Sequence, residues 1–225
     1  MKSQQEFFLL SRSLLLSSTA VCMSTQTVFL VDDDAVALLA WQGILHGSSY
    51  QVEAYQDPLA LLRRLTPSVR GCVVVDLRMP SIDGLELQRA LQERGIELPL
   101  IFASGAADVP AAVQAMKQGA IDFLCKPIDA EGLLAAIDRA MRLDSAQATA
   151  QATRAAAQLR WRELTPRERS LCGMITQGLR DKQIAAELSV AASTAQVLRT
   201  RLLKKLGVEI VGELLQFMAL LDQRD

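Results

Sequence analysis

Histidine occurs once in the 225-residue chain, cysteine four times, and aromatic residues make up only 4%. Each scarcity excludes something. The lone His46 has no second imidazole to form a zinc cage with and no Ser/His/Asp or Cys/His set around it. Its place after a helical apolar run makes it a helix-end residue. Cys22, Cys72, Cys125 and Cys172 stand far apart without a C-x-x-C pair. Neither a zinc site nor a disulfide framework is indicated, and a reducing cytoplasm is the simplest setting. No stretch approaches the roughly 18 apolar residues that a membrane span requires. Net charge is also missing, at −1 overall, so the whole-chain balance names no partner.

The charge is unevenly spread. Residues 26–143 hold ten basic against fifteen acidic side chains, whereas residues 160–225 hold eleven against eight. An acidic first part followed by a mildly basic last part fits a regulatory module joined to one that meets polyanions. Residues 1–22, MKSQQEFFLLSRSLLLSSTAVC, superficially resemble an export signal, but Arg12 and several serines interrupt the apolar run. Residues 1–25 are therefore expected to be a disordered extension or the product of a misassigned translation start.

From Thr27 onward, short apolar runs alternate with helical patterns. TVFLV, YQVEAY, CVVVD, LPLIFAS and AIDFL have the composition of five strands. AVALLAWQGILH, PLALLRRL, GLELQRALQER, DVPAAVQAMKQ and AEGLLAAIDRAMRL carry apolar residues at helical spacing. Strict alternation predicts an α/β domain: a parallel sheet covered on both faces, with its ligand site beyond the carboxyl ends of the strands. At those ends stand Asp32, Asp33 and Asp34 after strand one, Asp76 after strand three, Ser104 after strand four and Lys126 after strand five. Converging carboxylates call for a hard cation such as Mg²⁺. An aspartate can also attack a phosphoryl group, with a lysine and a hydroxyl steadying the transferring oxygens.

These elements, VDDD, DLRMPSIDG, SG and DFLCKP in order, resemble the receiver domain of two-component response regulators over residues 26–143. The resemblance implies a doubly wound five-stranded parallel sheet of order 2-1-3-4-5. It makes Asp76 the phosphoacceptor and Asp32 and Asp33 the acidic pair for Mg²⁺. Asp33, Asp76 and the backbone carbonyl of Arg78 become metal ligands, and Ser104 and Lys126 contact the phosphoryl group. Phe123 falls at the family's switch aromatic, and Lys126-Pro127 at a cis peptide bond. Asp34 falls on a variable position and is expected to cap the helix starting at Ala35.

Residues 144–163 are rich in Ala and Gln and lack Gly and Pro, which predicts a semi-rigid helical linker. Thr165, Pro166 and Glu168 then form a capping-box signature that opens a new all-helical unit over residues 164–225. In LRDKQIAAELSVAASTAQVLRTRLLKKLGV, a short helix, a turn and a longer helix from about Ser193 to Leu206 follow one another. The longer helix keeps Ala195, Leu198, Leu202 and Leu206 on one side; Ser193, Gln196, Val197, Thr200, Arg201 and Lys204 lie on the other. A polar, basic outer stripe on the second helix suits a DNA major groove. LTPRE, GLRDKQIAAEL, STAQV and KKLGV resemble the four-helix, LuxR-type helix-turn-helix domain of FixJ/NarL-type regulators. By that resemblance Gln196, Val197 and Thr200 contact bases, and Arg199, Arg201, Lys204 and Lys205 lie nearer phosphates.

The chain departs from the family at Ala191-Ala192, where Ser-Pro is usual, and at Leu198, where His is usual. Loss of a helix cap costs about 1 kcal/mol, unless Ser193 takes that role. The resemblance implies a cytoplasmic, phosphorylation-dependent transcriptional regulator that receives its phosphoryl group from a histidine kinase, dimerises and acts with RNA polymerase on promoter DNA. It would not be an enzyme on a separate substrate. The alternative is a phospho-receiver acting through protein contacts, with a decayed DNA-binding domain. A haloacid-dehalogenase-type phosphohydrolase would want a second acid two residues beyond Asp76, where Arg78 stands.

Overall fold

A computed structural model describes residues 26–105 and 109–222, which divide into two compact units, one ending at Ser145 and the other beginning at Ala146. The expectation for residues 1–25 lies outside the described residues.

The first unit alternates strand and helix. Its strands are β1 (Thr27–Val31), β2 (Gln51–Tyr55), β3 (Gly71–Asp76), β4 (Leu100–Ser104) and β5 (Asp122–Cys125). Its helices are α1 (Ala35–Leu45), α2 (Pro58–Arg64), α3 (Gly84–Glu93), α4 (Val109–Lys117) and the start of α5 (Ala130–Arg162). The sheet is wholly parallel, in the order β2-β1-β3-β4-β5. This is the expected doubly wound topology.

Every residue of β1, β3 and β4 is buried, as near-continuous apolar runs in a two-sided parallel sheet should be. Period-2 alternation sends successive side chains to opposite layers. Phe29, Val31, Val73, Val75 and Phe102 pack with Leu61 of α2 and with Leu87 and Leu91 of α3. Val28, Leu30, Val74, Ile101 and Ala103 pack with Leu38, Trp41 and Leu45 of α1 and with Leu133 and Ile137 of α5. The helices start where short polar side chains permit. Asp34 caps α1 through the Val36 N–H at 2.8 Å, and Asp83 forms a reciprocal capping box with Glu86 on α3. His46 closes α1, as its place in the sequence predicts.

Helix α5 continues unbroken for 33 residues. Near its passage out of the first unit, Asp144 is only 2% exposed. Its carboxylate pairs with Arg70 at 3.0 Å and accepts from the Gln26 amide at 3.4 Å. Those contacts hold this turn of the helix against the amino-terminal edge of the sheet.

The second unit comprises the last part of α5 with α6 (Pro166–Thr176), α7 (Asp181–Leu188), α8 (Ala192–Leu206) and α9 (Val211–Asp222). Thr165 caps α6 in a capping box with Glu168, with Pro166 in the first turn. Gly178, Ser189 and Gly207 supply the left-handed turns between helices. Leu171, Ile175, Ile184, Ala195, Leu202, Leu206, Leu214 and Phe217 form the core, and Ala157 of α5 belongs to it. Helix α8 begins at Ala192 rather than Ser193. Its cap, Ala191, makes no side-chain hydrogen bond, and Ser193 falls inside the first turn without taking over that role.

Candidate functional site

Strand register brings the chemistry together. Val31 of β1 lies level with Val75 of β3, so Asp32 and Asp76 leave the sheet side by side. Asp76 pairs with Ala103, and Ser104 pairs with Cys125, which sets Ser104 and Lys126 at the same edge. The Lys126 N–H donates to the Ser104 carbonyl at 2.7 Å and ties the lysine's backbone to strand β4. The Lys126-Pro127 peptide bond is cis.

The Lys126 ammonium stands between two acids. It donates to Asp32 Oδ2 at 2.6 Å and contacts Asp76 Oδ1. The remaining oxygens are also engaged: Asp32 Oδ1 accepts the Asp34 N–H at 2.9 Å, and Asp76 Oδ2 accepts the Arg78 N–H at 2.6 Å. Asp32 is 1% and Asp76 6% exposed, so each carboxylate has exchanged water for protein donors. Burial pushes the Asp32 pKa up despite the opposing hydrogen bonds from Lys126 and Asp34. For Lys126, burial pulls down, but the hydrogen bonds and charges of Asp32 and Asp76 outweigh it and raise the pKa. The ammonium therefore stays protonated at neutral pH.

Asp33 differs from its neighbour. Its carboxylate is exposed, and its backbone carbonyl accepts from the Gln56 amide at 3.5 Å. Among the described residues, no three His, Cys, Asp or Glu side chains close on one point in metal-binding geometry. Of the three carboxylates that strand ends direct to this edge, two are joined through the lysine and the third faces solvent. The donor chemistry still fits a hard cation, because every available group is an oxygen and buried Asp32 carries a charge its surroundings disfavour. Ser104 is buried at the end of β4. Phe123 is partly buried in β5, its ring stacked 6.5 Å from Phe102.

Trp41, the seventh residue of α1, escaped the sequence reading. Its indole lies beneath Lys126, with Nζ 5.4 Å from the ring centroid. An aromatic residue within an apolar helical stretch ordinarily indicates core, so no local signal distinguished it.

In the second unit, α8 turns Ala195, Leu202 and Leu206 inward, and Leu198 is partly buried. Ser193, Gln196, Val197, Thr200, Arg201 and Lys204 are all exposed. The expected outer stripe is present. Two of its neighbours are engaged within the unit: Arg199 pairs with Asp181 at 3.2 Å, and Lys205 with Glu168 at 3.0 Å. Arg201 and Lys204 make no side-chain hydrogen bond or ion pair among the described residues.

A five-stranded 2-1-3-4-5 sheet with a lysine joining two acids at its carboxyl edge, followed by a helix-turn-helix unit, defines a receiver joined to a DNA-binding domain. Residues 28–138 match the response regulator receiver domain, and residues 162–218 match the bacterial regulatory proteins of the luxR family. The response regulator protein TmoT of Ectopseudomonas mendocina is 35% identical, across 84% of this chain and 86% of that protein. The transcriptional regulatory protein FixJ of Bradyrhizobium diazoefficiens is 34% identical, across 84% of this chain and 92% of that protein. The solved structure of the response regulator StyR superposes with a TM-score of 0.78 at 34% identity, over 87% of this chain and 98% of that one.

The chain belongs to the response regulators with a LuxR-type helix-turn-helix domain, and it is a transcriptional regulator of that kind.

Proposed function

We propose that Asp76 accepts a phosphoryl group from the phosphohistidine of a histidine kinase, and that this controls promoter binding by the second unit. The observation that carries the reading is the Lys126 ammonium joined at once to Asp32 and Asp76. One carboxylate oxygen of Asp76 attacks phosphorus. The phosphorus–nitrogen bond breaks as the phosphorus–oxygen bond forms, and the electron pair, then a proton, go to the histidine ring. Lys126 offsets charge on the transferring oxygens, and the Ser104 hydroxyl donates to one of them. Asp32, Asp33, Asp76 and the backbone carbonyl of Arg78 would hold Mg²⁺, which when bound supplies further charge for the phosphoryl oxygens. The reaction is on the chain's own aspartate and not on a separate substrate.

The receiver, residues 26–143, is coupled through a helical segment at 144–163 to the DNA-binding unit, residues 164–225. Phosphorylation shifts a two-state surface around α4, β5 and α5, with Phe123 as its aromatic reporter, and favours a homodimer. Helix α8 enters the major groove. Gln196 and Thr200 present hydrogen-bonding groups to base edges, and exposed Val197 suits a thymine methyl group. Arg201 and Lys204, with Arg199 and Lys205 at the margin, neutralise phosphates. RNA polymerase is the further partner. Among the described residues no helix is long and apolar enough to cross a membrane; the cytoplasm is the proposed location.

Two experiments test this. Asp76→Asn should abolish phosphate incorporation from a small phosphoryl donor, and labelling that survives it would refute the acceptor assignment. An electrophoretic shift with the chain's own promoter should strengthen when a phosphoryl donor is added. Absence of a shift at low salt in either state would leave a receiver that works through protein contacts alone.

A further inference from the structure

Trp41 is 3% exposed and packs among Leu38, Leu45, Leu133 and Ile137, in the apolar layer that α1 and α5 form on one face of the sheet. Its ring nevertheless meets a charge. The Lys126 ammonium, 5.4 Å from the ring centroid, is the same group that contacts Asp32 and Asp76. We propose that Trp41 is a positioning residue for Lys126: its indole face seats the ammonium so that it points at the acceptor carboxylate, and this sets the rate at which Asp76 takes up phosphate. The inference rests on the reading of Asp76 as acceptor and Lys126 as its cation.

The physical case starts from the lysine's freedom. The Lys126 backbone is tied to Ser104, but its four-carbon stem is flexible, and its side chain is still 27% exposed at the mouth of the site. Two of its three N–H donors reach Asp32 and Asp76. Those acids alone cannot decide whether the ammonium turns towards them or out to water once a phosphoryl group changes their charge. The indole can, because its negative face attracts a cation without using a hydrogen bond. Buried among aliphatic side chains, the ring cannot follow the lysine outward. An aliphatic residue would fill the space and offer no such face. A cation held in place before the reaction is worth more to phosphoryl transfer than one that must be ordered during it.

The chain contains two tryptophans, and Trp161 lies in the second unit against Arg169. The test therefore uses the full chain carrying Trp161→Phe, in which Trp41 is the sole indole. Adding Lys126→Met should change the intensity or wavelength of Trp41 emission, since it removes an ammonium from the ring face. Superimposable spectra would overturn the proposal. Phosphate uptake from acetyl phosphate with Mg²⁺ is then compared for Trp41→Leu and Trp41→Phe in the otherwise unaltered chain. Trp41→Leu should slow uptake between about twofold and about thirtyfold, the rate equivalent of a cation–π contact. Trp41→Phe, which keeps a smaller aromatic face, should restore part of the loss. Equal losses in the two variants, or none in Trp41→Leu, would overturn the proposal. Should Trp41→Leu fail to fold, Trp41→Phe carries the rate test, and uptake equal to that of the unaltered chain would overturn the proposal. Labelling that survives Asp76→Asn would instead refute the acceptor reading and leave the emission result intact, so the two failures are separable.

Discussion

A methyl group at position 84 should damage both stability and chemistry. Gly84 opens α3 directly after its cap, Asp83, and its N–H donates to the Leu77 carbonyl at 2.9 Å. A Cβ there would lie 2.7 Å from the backbone oxygen of Asp76 and 2.9 Å from Cε1 of Phe102, well inside the 3.4 Å at which ordinary contact begins. Neither neighbour can step aside. The first is main chain at the end of a fully buried strand, and Phe102 is itself fully buried and stacked on Phe123. Overpacking such a site costs about 1–3 kcal/mol. Because the collision falls on the acceptor's own carbonyl, the carboxylate moves with it, and displacement on the order of 1 Å costs roughly 100-fold in rate. Gly84→Ala should therefore lower the urea midpoint, followed by far-ultraviolet circular dichroism, and slow phosphate uptake from acetyl phosphate by about tenfold or more. Gly43→Ala is the control. Gly43 lies within α1 with nothing inside 4 Å of its Cβ position, so the change should stabilise by about 0.5–1 kcal/mol and leave uptake unaltered. A Gly84→Ala chain that unfolds and labels as the parent does would refute this steric account of the Asp76 loop.

Other perturbations probe the second unit. The Glu168 pKa is lowered, first by the Thr165 N–H and then by Lys205, so its contribution is present above the ordinary value of 4.5 and lost as pH falls through the depressed one. Glu168→Ala should cost about 1 kcal/mol at pH 7, and a denaturation series towards pH 3 should show the gap closing; a gap independent of pH would contradict the assignment. Ala191 caps α8 with no side-chain hydrogen bond, and Ala191→Ser should add about 0.5–2 kcal/mol in thermal unfolding; an unchanged midpoint would contradict it. Arg201→Ala and Lys204→Ala should each reduce the slope of log affinity against log salt by about 0.9 in promoter binding. An unchanged slope in both would remove them from the phosphate contacts.

Much of the fold is local in origin and was legible in the chain itself. Apolar runs long enough for a strand and bounded by turn residues mark β1, β3 and β4. Caps at Asp34 and Thr165 act through N–H groups within the next few residues, so their signatures are contiguous. The addresses of Asp32, Asp76, Ser104 and Lys126 follow from strand ends, and the outer stripe of α8 follows from helical spacing. Other contacts are decided by packing. Asp33 and Asp32 are adjacent and chemically identical, yet one faces solvent and the other is buried against Lys126, a distinction made by where β1 meets its neighbours. Arg199 and Arg201 sit on one basic helix, yet Asp181 engages only the first. Trp41 and Lys126 meet because α1 and the end of β5 share one face of the sheet. The sequence by itself determined which residues reach the sheet edge and which face of α8 is polar, since both depend on backbone periodicity. Only the tertiary structure decided which charges are already paired and which ring lies under the lysine, because those pairings join residues far apart in the chain, and only folding brings them within a few ångströms.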